Sequence, residues 1–339
     1  MHWLLRVSAS VLALAVLPEP ELKRFEAVEP HMGTLVRITV FARSEQAAND
    51  AFRAAFDRIA HLDRTLSDYQ ADSELNEVAR TAVQRVTPVS DDLFAVLRAS
   101  QDLAGATGGA FDITLGPVIR LWREARKTGR VPDPTALKDA ASRTGFRKLH
   151  LDVNRRTVSF DMPGMALDVG AIAKGFAASE AIAVLSRLGV RSALVAVSGD
   201  LAFSDPPPGH RGWQIGVRSD DAADPEVPRV LELSHAAVST AGSSEQHLDA
   251  GGRRYSHIID PATGMGLMDD ITVTVIARNG IDADGLDTAV SVIGADRGLA
   301  LIEDRPETAA LITRRAGTAT TFLQSSRFRT LAAQYGVAR

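Results

Sequence analysis

From Gly33 to Ala42 the chain reads GTLVRITVFA, where apolar and polar positions alternate among many β-branched residues, and this predicts a half-buried strand. The period then changes. After Ser44, a capping residue, Phe52, Phe56, Ile59, Leu62 and Leu66 recur at steps of three and four, so one helix carries a continuous apolar face. Ser90-Asp91-Asp92 opens a second helix with a cap and two acids, running through Leu93, Val96 and Leu97 until Gly105, Gly108 and Gly109 stop it. A short helix over 135–143 and a hairpin over 148–160, turning at Asp152 to Arg156, come next. A helix from about Ala173 to Leu188 ends at Gly189, and strands follow over 192–197 and 271–277. Arg123 to Arg130 is dense in charge and reads as a solvated surface segment.

Composition narrows the picture. With 339 residues, 45% hydrophobic and 24% charged, the chain can bury one large or two moderate cores. Its net charge of −4, with acids and bases well mixed, gives no reason to expect nucleic acid as a partner, so any anion must be held locally. There is no cysteine, which excludes disulfides, thiolate metal sites, cysteine nucleophiles and a cysteine-linked lipid anchor. A metal must then sit on oxygen or imidazole. The apolar run Val7 to Leu17, ended by Pro18-Glu19-Pro20-Glu21, is shorter than the ~20 residues of a membrane-spanning helix and suits the core of an export signal. Residues 1–29 are accordingly read as signal and leader, 30–325 as the folded domain and 326–339 as a C-terminal tail. The expected location is the periplasm or the inner-membrane surface.

Four stretches carry candidate chemistry. Leu167 to Gly175 sets Asp168, Lys174 and two glycines where an apolar segment turns into a helix, a place suited to an anion. Ala110-Phe111-Asp112 follows glycines, so Asp112 is either a turn-forming acid or a carboxylate on a ligand edge. His257 lies before a turn enforced by Asp260-Pro261 and Thr263-Gly264, among hydroxyls and an acid, a setting suited to a proton acceptor. Asp284, Asp287 and Thr288, three and four apart, fall on one side of a helix as hard oxygen donors of the kind Mg²⁺ takes. The alternative is a pair of acids favouring a helix N-terminus.

Taken together, and in order, these segments resemble the ApbE family of FAD:protein FMN transferases. The matching pieces are His31-Met32-Gly33-Thr34, Leu66-Ser67-Asp68-Tyr69, Gly109-Ala110-Phe111-Asp112, Asp168 to Gly175, Tyr255 to Pro261, and Ala283-Asp284 with Asp287-Thr288. The resemblance implies an α+β, ApbE-like (T-fold-like) fold: a mixed or antiparallel sheet with packed helices, in two lobes around a central FAD and magnesium site. It implies FAD contacts at Met32, Tyr69, Ala110, Phe111, Asp112, Asp168, Lys174 and Ile259, with the tyrosine beside the flavin ring. It implies magnesium ligands at the Ala171 carbonyl, Asp284, Asp287 and Thr288, and a base at His257. The implied reaction moves FMN from FAD to a Ser or Thr hydroxyl of an acceptor protein and releases AMP; a magnesium-dependent FAD pyrophosphatase or a non-catalytic FAD carrier would use the same site. The chain departs from the family at Phe176 to Ser179, which weakens the expected polar contact at Ser179, and at Thr240-Ala241-Gly242.

Overall fold

The alternating stretch becomes β2 (Thr34–Ala42), which pairs antiparallel with β1 (Lys23–His31) across a two-residue turn at Met32 and Gly33. The computed structural model describes residues 21–217, 227, 230–242, 246–317 and 319–334. The apolar run 7–17, and with it the expected export signal, lies outside them, as does 335–339. Residues 23–29, read as leader, lie in β1.

Next come α1 (Glu45–Leu66), α2 (Glu74–Thr81), β3 (Thr87–Pro88), α3 (Asp91–Ala106), α4 (Gly116–Thr128) and α5 (Pro134–Ser142). Ser44 and Ser90 cap α1 and α3, accepting from the Ala47 and Leu93 amides. β4 (Leu149–Asp152) and β5 (Thr157–Phe160) form the expected hairpin and lead to α6 (Ala173–Arg187). Six strands follow: β6 (Ala193–Val197), β7 (Asp200–Phe203), β8 (Trp213–Gly216), β9 (Val230–Leu233), β10 (Ala236–Gly242) and β11 (His247–Ala250). The described chain closes with β12 (Arg253–Ser256), β13 (Asp270–Ala277), α7 (Gly280–Ile293), α8 (Ala295–Glu303), β14 (Ala309–Ala316), β15 (Ala319–Gln324) and α9 (Ser326–Gln334).

Eight strands make the main sheet, in the order β1-β2-β6-β7-β10-β13-β14-β15, and every neighbouring pair in it is antiparallel. The fold is therefore α+β with an antiparallel, not a mixed, main sheet. Two hydrophobic cores meet on α6 and α7. One takes Ala178, Ala181 and Leu185 of α6 with Phe52, Phe56 and Ile59 of α1. The other takes Ala173 and Ala177 with Leu286, Ala289 and Val290 of α7, Leu93 and Leu97 of α3, and the β4–β5 hairpin. Arg58 of α1 ties the helices together through Asp92 of α3 and Glu180 of α6, both at 2.6 Å.

Of the segment read as a tail, the described residues 326–334 are instead part of the packing. Phe328 of α9 is fully buried in a third core, against the sheet face opposite α6 and α7, and the Arg327 guanidinium donates to the Arg305 carbonyl at 2.8 Å.

Where α6 and α7 cross, backbone meets backbone. A Cβ on Gly175 would stand 2.1 Å from the Gly280 carbonyl oxygen, and one on Gly280 would stand 2.0 Å from that of Gly175. Glycine is required at both positions by this close approach. The Ser179 hydroxyl accepts from the Gly280 amide at 2.7 Å, so its polar contact survives as a helix-to-helix bond.

Candidate functional site

Every residue that the resemblance assigned to the site lines a single cleft of about 590 Å³, a volume ordinary for a small-molecule site. Met32 contributes from the β1–β2 turn, Asp168 to Ala171 from the approach to α6, Ala173 and Lys174 from its first turn, and His257 to Ile259 from the loop after β12. Asp284, Asp287 and Thr288 come from the first turns of α7. Met32 holds φ 50° and Ser198, in the β6–β7 turn, φ 58°, so two hairpin tips at the cleft carry left-handed non-glycine residues. Such strain persists only where surrounding contacts enforce it. The Met32 amide, for example, donates to Asp63 Oδ2 at 2.9 Å.

At one end of the cleft Asp284 and Asp287 are joined by Asp200, at the start of β7. One carboxylate oxygen from each lies within 4.8 Å of the others, and all three residues are buried. A single ammonium, that of Lys174, faces them and pairs with Asp200. Burial works against that charge, yet Asp284, Asp200 and Asp287 outweigh it and raise Lys174 above the ordinary lysine value. The Asp284 carboxyl is pushed up to about 7 by burial and by Asp200, while Lys174 and the Gly175 amide, 2.9 Å away, pull it back. Asp287 is raised well above the usual range by burial, then by Asp284 and Asp200.

Ser239 makes the shortage of positive charge explicit. Its hydroxyl touches Asp200 and lies 2.6 Å from Asp287 Oδ2. One hydroxyl has one proton and can donate to only one carboxylate at a time. The second contact needs a proton or a cation, and three buried carboxylates against one ammonium call for the same thing. An all-oxygen donor set of this kind suits a hard divalent ion. Thr288 Oγ1 lies 3.2 Å from Asp287 Oδ1. The first helical bond of α6 runs from the Phe176 amide to the Ile172 carbonyl at 3.2 Å, which leaves the Ala171 carbonyl outside the helix's own ladder.

The other end is built differently. Asp168, buried, accepts from the Gly170 amide at 2.9 Å and from Arg123 Nη2 at 2.6 Å. Burial and the neighbouring Asp68 raise its pKa, and Arg123 opposes them. Arg123 also pairs with Asp68 and lies over the Tyr69 ring, its guanidinium carbon 4.2 Å from the centroid. Phe111 is a core residue at 2% exposure. Asp112 accepts from the Thr114 amide at 2.8 Å and the Phe146 amide at 2.9 Å, so its oxygens fasten a turn.

His257 also lines the cleft. Its Nδ1 lies 3.1 Å from the Gln246 carbonyl. A carbonyl only accepts, so this contact assigns the hydrogen to Nδ1 and makes Nε2 the basic nitrogen of the neutral ring. The following turn is held by Asp260, which accepts from the Ala262 amide and the Thr263 hydroxyl, both at 2.9 Å. Buried Trp122 of α4 donates its indole N–H to the Gly264 carbonyl at 2.8 Å and pins that turn from below.

Comparison with known proteins agrees with this geometry. The model of the ApbE family matches residues 32–312. The chain belongs to the ApbE family. A FAD:protein FMN transferase of Treponema pallidum is 32% identical over 304 residues, 85% of this chain and 84% of the relative. One from Vibrio cholerae is 30% identical over 307 residues, 89% and 90% of the two chains. Among solved structures, the apo form of the Pseudomonas stutzeri flavinyl transferase ApbE superposes with a TM-score of 0.79 at 28% identity, covering 94% of this chain and 98% of that one. The flavin transferase ApbE of Vibrio cholerae gives 0.79 at 27% identity, covering 91% and 99%.

Asp200, Ser239 and Arg123 do not stand out in the sequence as site residues. Arg123 in particular belongs to a stretch read as solvated surface, yet its side chain is 20% exposed and turned into the cleft. The only available signal was its place beside Trp122 on a helix that needed a buried face.

Proposed function

We infer that the protein transfers FMN from FAD to a Ser or Thr hydroxyl of an acceptor protein and releases AMP. The observation that carries this reading is the cleft in which three buried carboxylates short of positive charge, Lys174 and the basic Nε2 of His257 come together, in a chain similar over most of its length to FAD:protein FMN transferases. FAD is the substrate, and Mg²⁺ is the ion the oxygen donors favour. Asp284, Asp287, Thr288 and the Ala171 carbonyl would hold it. Bound there, Mg²⁺ supplies Lewis-acid stabilisation of negative charge on the pyrophosphate.

The chain's own residues do the rest. Lys174, kept protonated by its acids, sets a fixed positive charge beside the phosphates. Nε2 of His257 takes the proton of the acceptor hydroxyl as that oxygen bonds to the FMN phosphorus. The bond from this phosphorus to the bridging oxygen breaks, and AMP leaves with that oxygen. Nδ1, tied to the Gln246 carbonyl, keeps the ring in the tautomer this step needs. On the apolar run 7–17, we place the protein outside the cytoplasm, periplasmic or at the inner-membrane surface.

Incubation with FAD, Mg²⁺ and an acceptor domain, followed by intact-mass measurement, tests the reading. Acceptor mass rises by one FMN if it holds. Free FMN and AMP without acceptor gain would indicate a pyrophosphatase, and unchanged FAD a carrier. His257→Ala lowers the transfer rate by about 10²- to 10⁴-fold, the range for general base catalysis, while FAD still binds. Full transfer by that variant would remove His257 from the mechanism.

A further inference from the structure

Tyr69 is unusual among the cleft residues: at 77% exposure it is the most exposed large hydrophobic side chain of the described residues, yet its backbone is tightly held. Asn76 Nδ2 donates to the Asp68 carbonyl at 3.1 Å and to the Gln70 carbonyl at 2.8 Å, on either side of it. The ring itself has one evident support, the Arg123 guanidinium over one face at 4.2 Å from the centroid. That guanidinium is in turn fixed by two carboxylates from different parts of the chain, Asp68 and Asp168. A planar fork can satisfy two carboxylates and lie flat on a ring together; an ammonium cannot.

We propose that Arg123 is a positioning residue for substrate binding: it latches the Tyr69 ring upright against Asp168 and thereby builds the wall on which a planar ring of the substrate lies. This rests on the reading of FAD as substrate. Restricting an exposed aromatic before the ligand arrives lowers the ordering cost of binding, so the benefit falls on affinity. The proposed metal donors and His257 lie on elements other than those that carry Arg123 and Tyr69, so the chemical step is left nearly intact once FAD is bound.

The test is a titration of FAD by flavin fluorescence, beside transfer kinetics, on Arg123→Lys, Arg123→Gln, Tyr69→Leu and the double variant Arg123→Lys/Tyr69→Leu. Arg123→Lys keeps a charge for Asp168 and so preserves folding if Arg123→Gln does not. FAD affinity falls about tenfold in Arg123→Lys and KM rises in parallel, the size expected for losing a partly desolvated stacking contact. kcat at saturating FAD stays within about threefold by the same argument. In the Tyr69→Leu background, adding Arg123→Lys changes affinity far less than tenfold, because the latch has nothing left to hold. Unchanged FAD affinity in Arg123→Lys overturns the proposal. So does a tenfold loss that persists without the tyrosine, which would trace the effect to Asp168 alone. A wild-type protein that binds FAD but modifies no acceptor would refute the transfer reading while leaving the titration valid.

Discussion

The two ends of the cleft hold similar groups in different degrees of balance. At the Arg123 end, two carboxylates share a guanidinium that donates to both, so each has a charged partner and the excess negative charge is smaller. At the Lys174 end, three buried carboxylates share one ammonium and one hydroxyl proton, and the set is open. The first behaves as scaffold and the second as a socket. Burial of a charge is costly unless it is paired, so an unbalanced cluster is tolerated where something else is meant to complete it.

Substitutions should separate the two ends. The largest effect is expected from Asp284→Ala, which removes a socket oxygen together with the acceptor of the Gly175 amide. Transfer measured by acceptor mass falls about 10³-fold or more, equivalent to several kcal/mol of lost charge stabilisation, and the Mg²⁺ response disappears. A variant with an unaltered Mg²⁺ response would contradict the socket. The next contrast is one of sign. Asp168→Asn takes one of the two carboxylates from Arg123, which keeps Asp68, and lowers unfolding free energy by about 1 kcal/mol, the size of one net hydrogen bond. Asp287→Asn, which relieves crowding among carboxylates, raises stability in the absence of metal. Denaturant curves in EDTA read both, and two changes of the same sign would erase the distinction.

The smallest effect is on pH dependence. Asp284 binds its proton more tightly in the folded state, its pKa raised from 3.8 to about 7, so the folded protein holds more protons than the unfolded chain between those values. Stability of the metal-free protein from this group therefore declines as pH rises from about 4 through about 7. A divalent ion takes the proton's place, and the rise in Tm caused by added Mg²⁺ grows across the same window. A pH-independent Mg²⁺ shift would argue that the ion binds elsewhere.

How much of this was legible in the sequence depended on whether the decisive contact was local. Ser44 and Ser90 cap helices within three residues of themselves, and Asp284 with Asp287 share a helix side by spacing alone, so these could be read directly. His257 announced itself through the turn that follows it. Arg123 finds its partners 55 and 45 residues away, and a run of charges around it looked like ordinary surface. Asp200 reaches Ser239 only after β7 pairs beside β10, and Lys174 only after α6 packs on β7. β1 was hidden in an assumed leader because its pattern is mostly exposed, as befits the last strand of a sheet. The resemblance to ApbE proteins supplied the fold that periodicity did not.

The glycine crossing of α6 and α7 has a consequence for what the cleft can accept. With Gly175 against Gly280, no side chain cushions the two helices, and the Asp284 carboxylate is bonded to the Gly175 amide itself. The seven residues from Asp168 to Lys174 bridge scaffold and socket directly, so the gap between the ring-bearing wall and the acidic jaws is machined into the main chain. The protein is a caliper with a locked screw. On the proposed reading, a ligand too short to reach both ends engages only one of them.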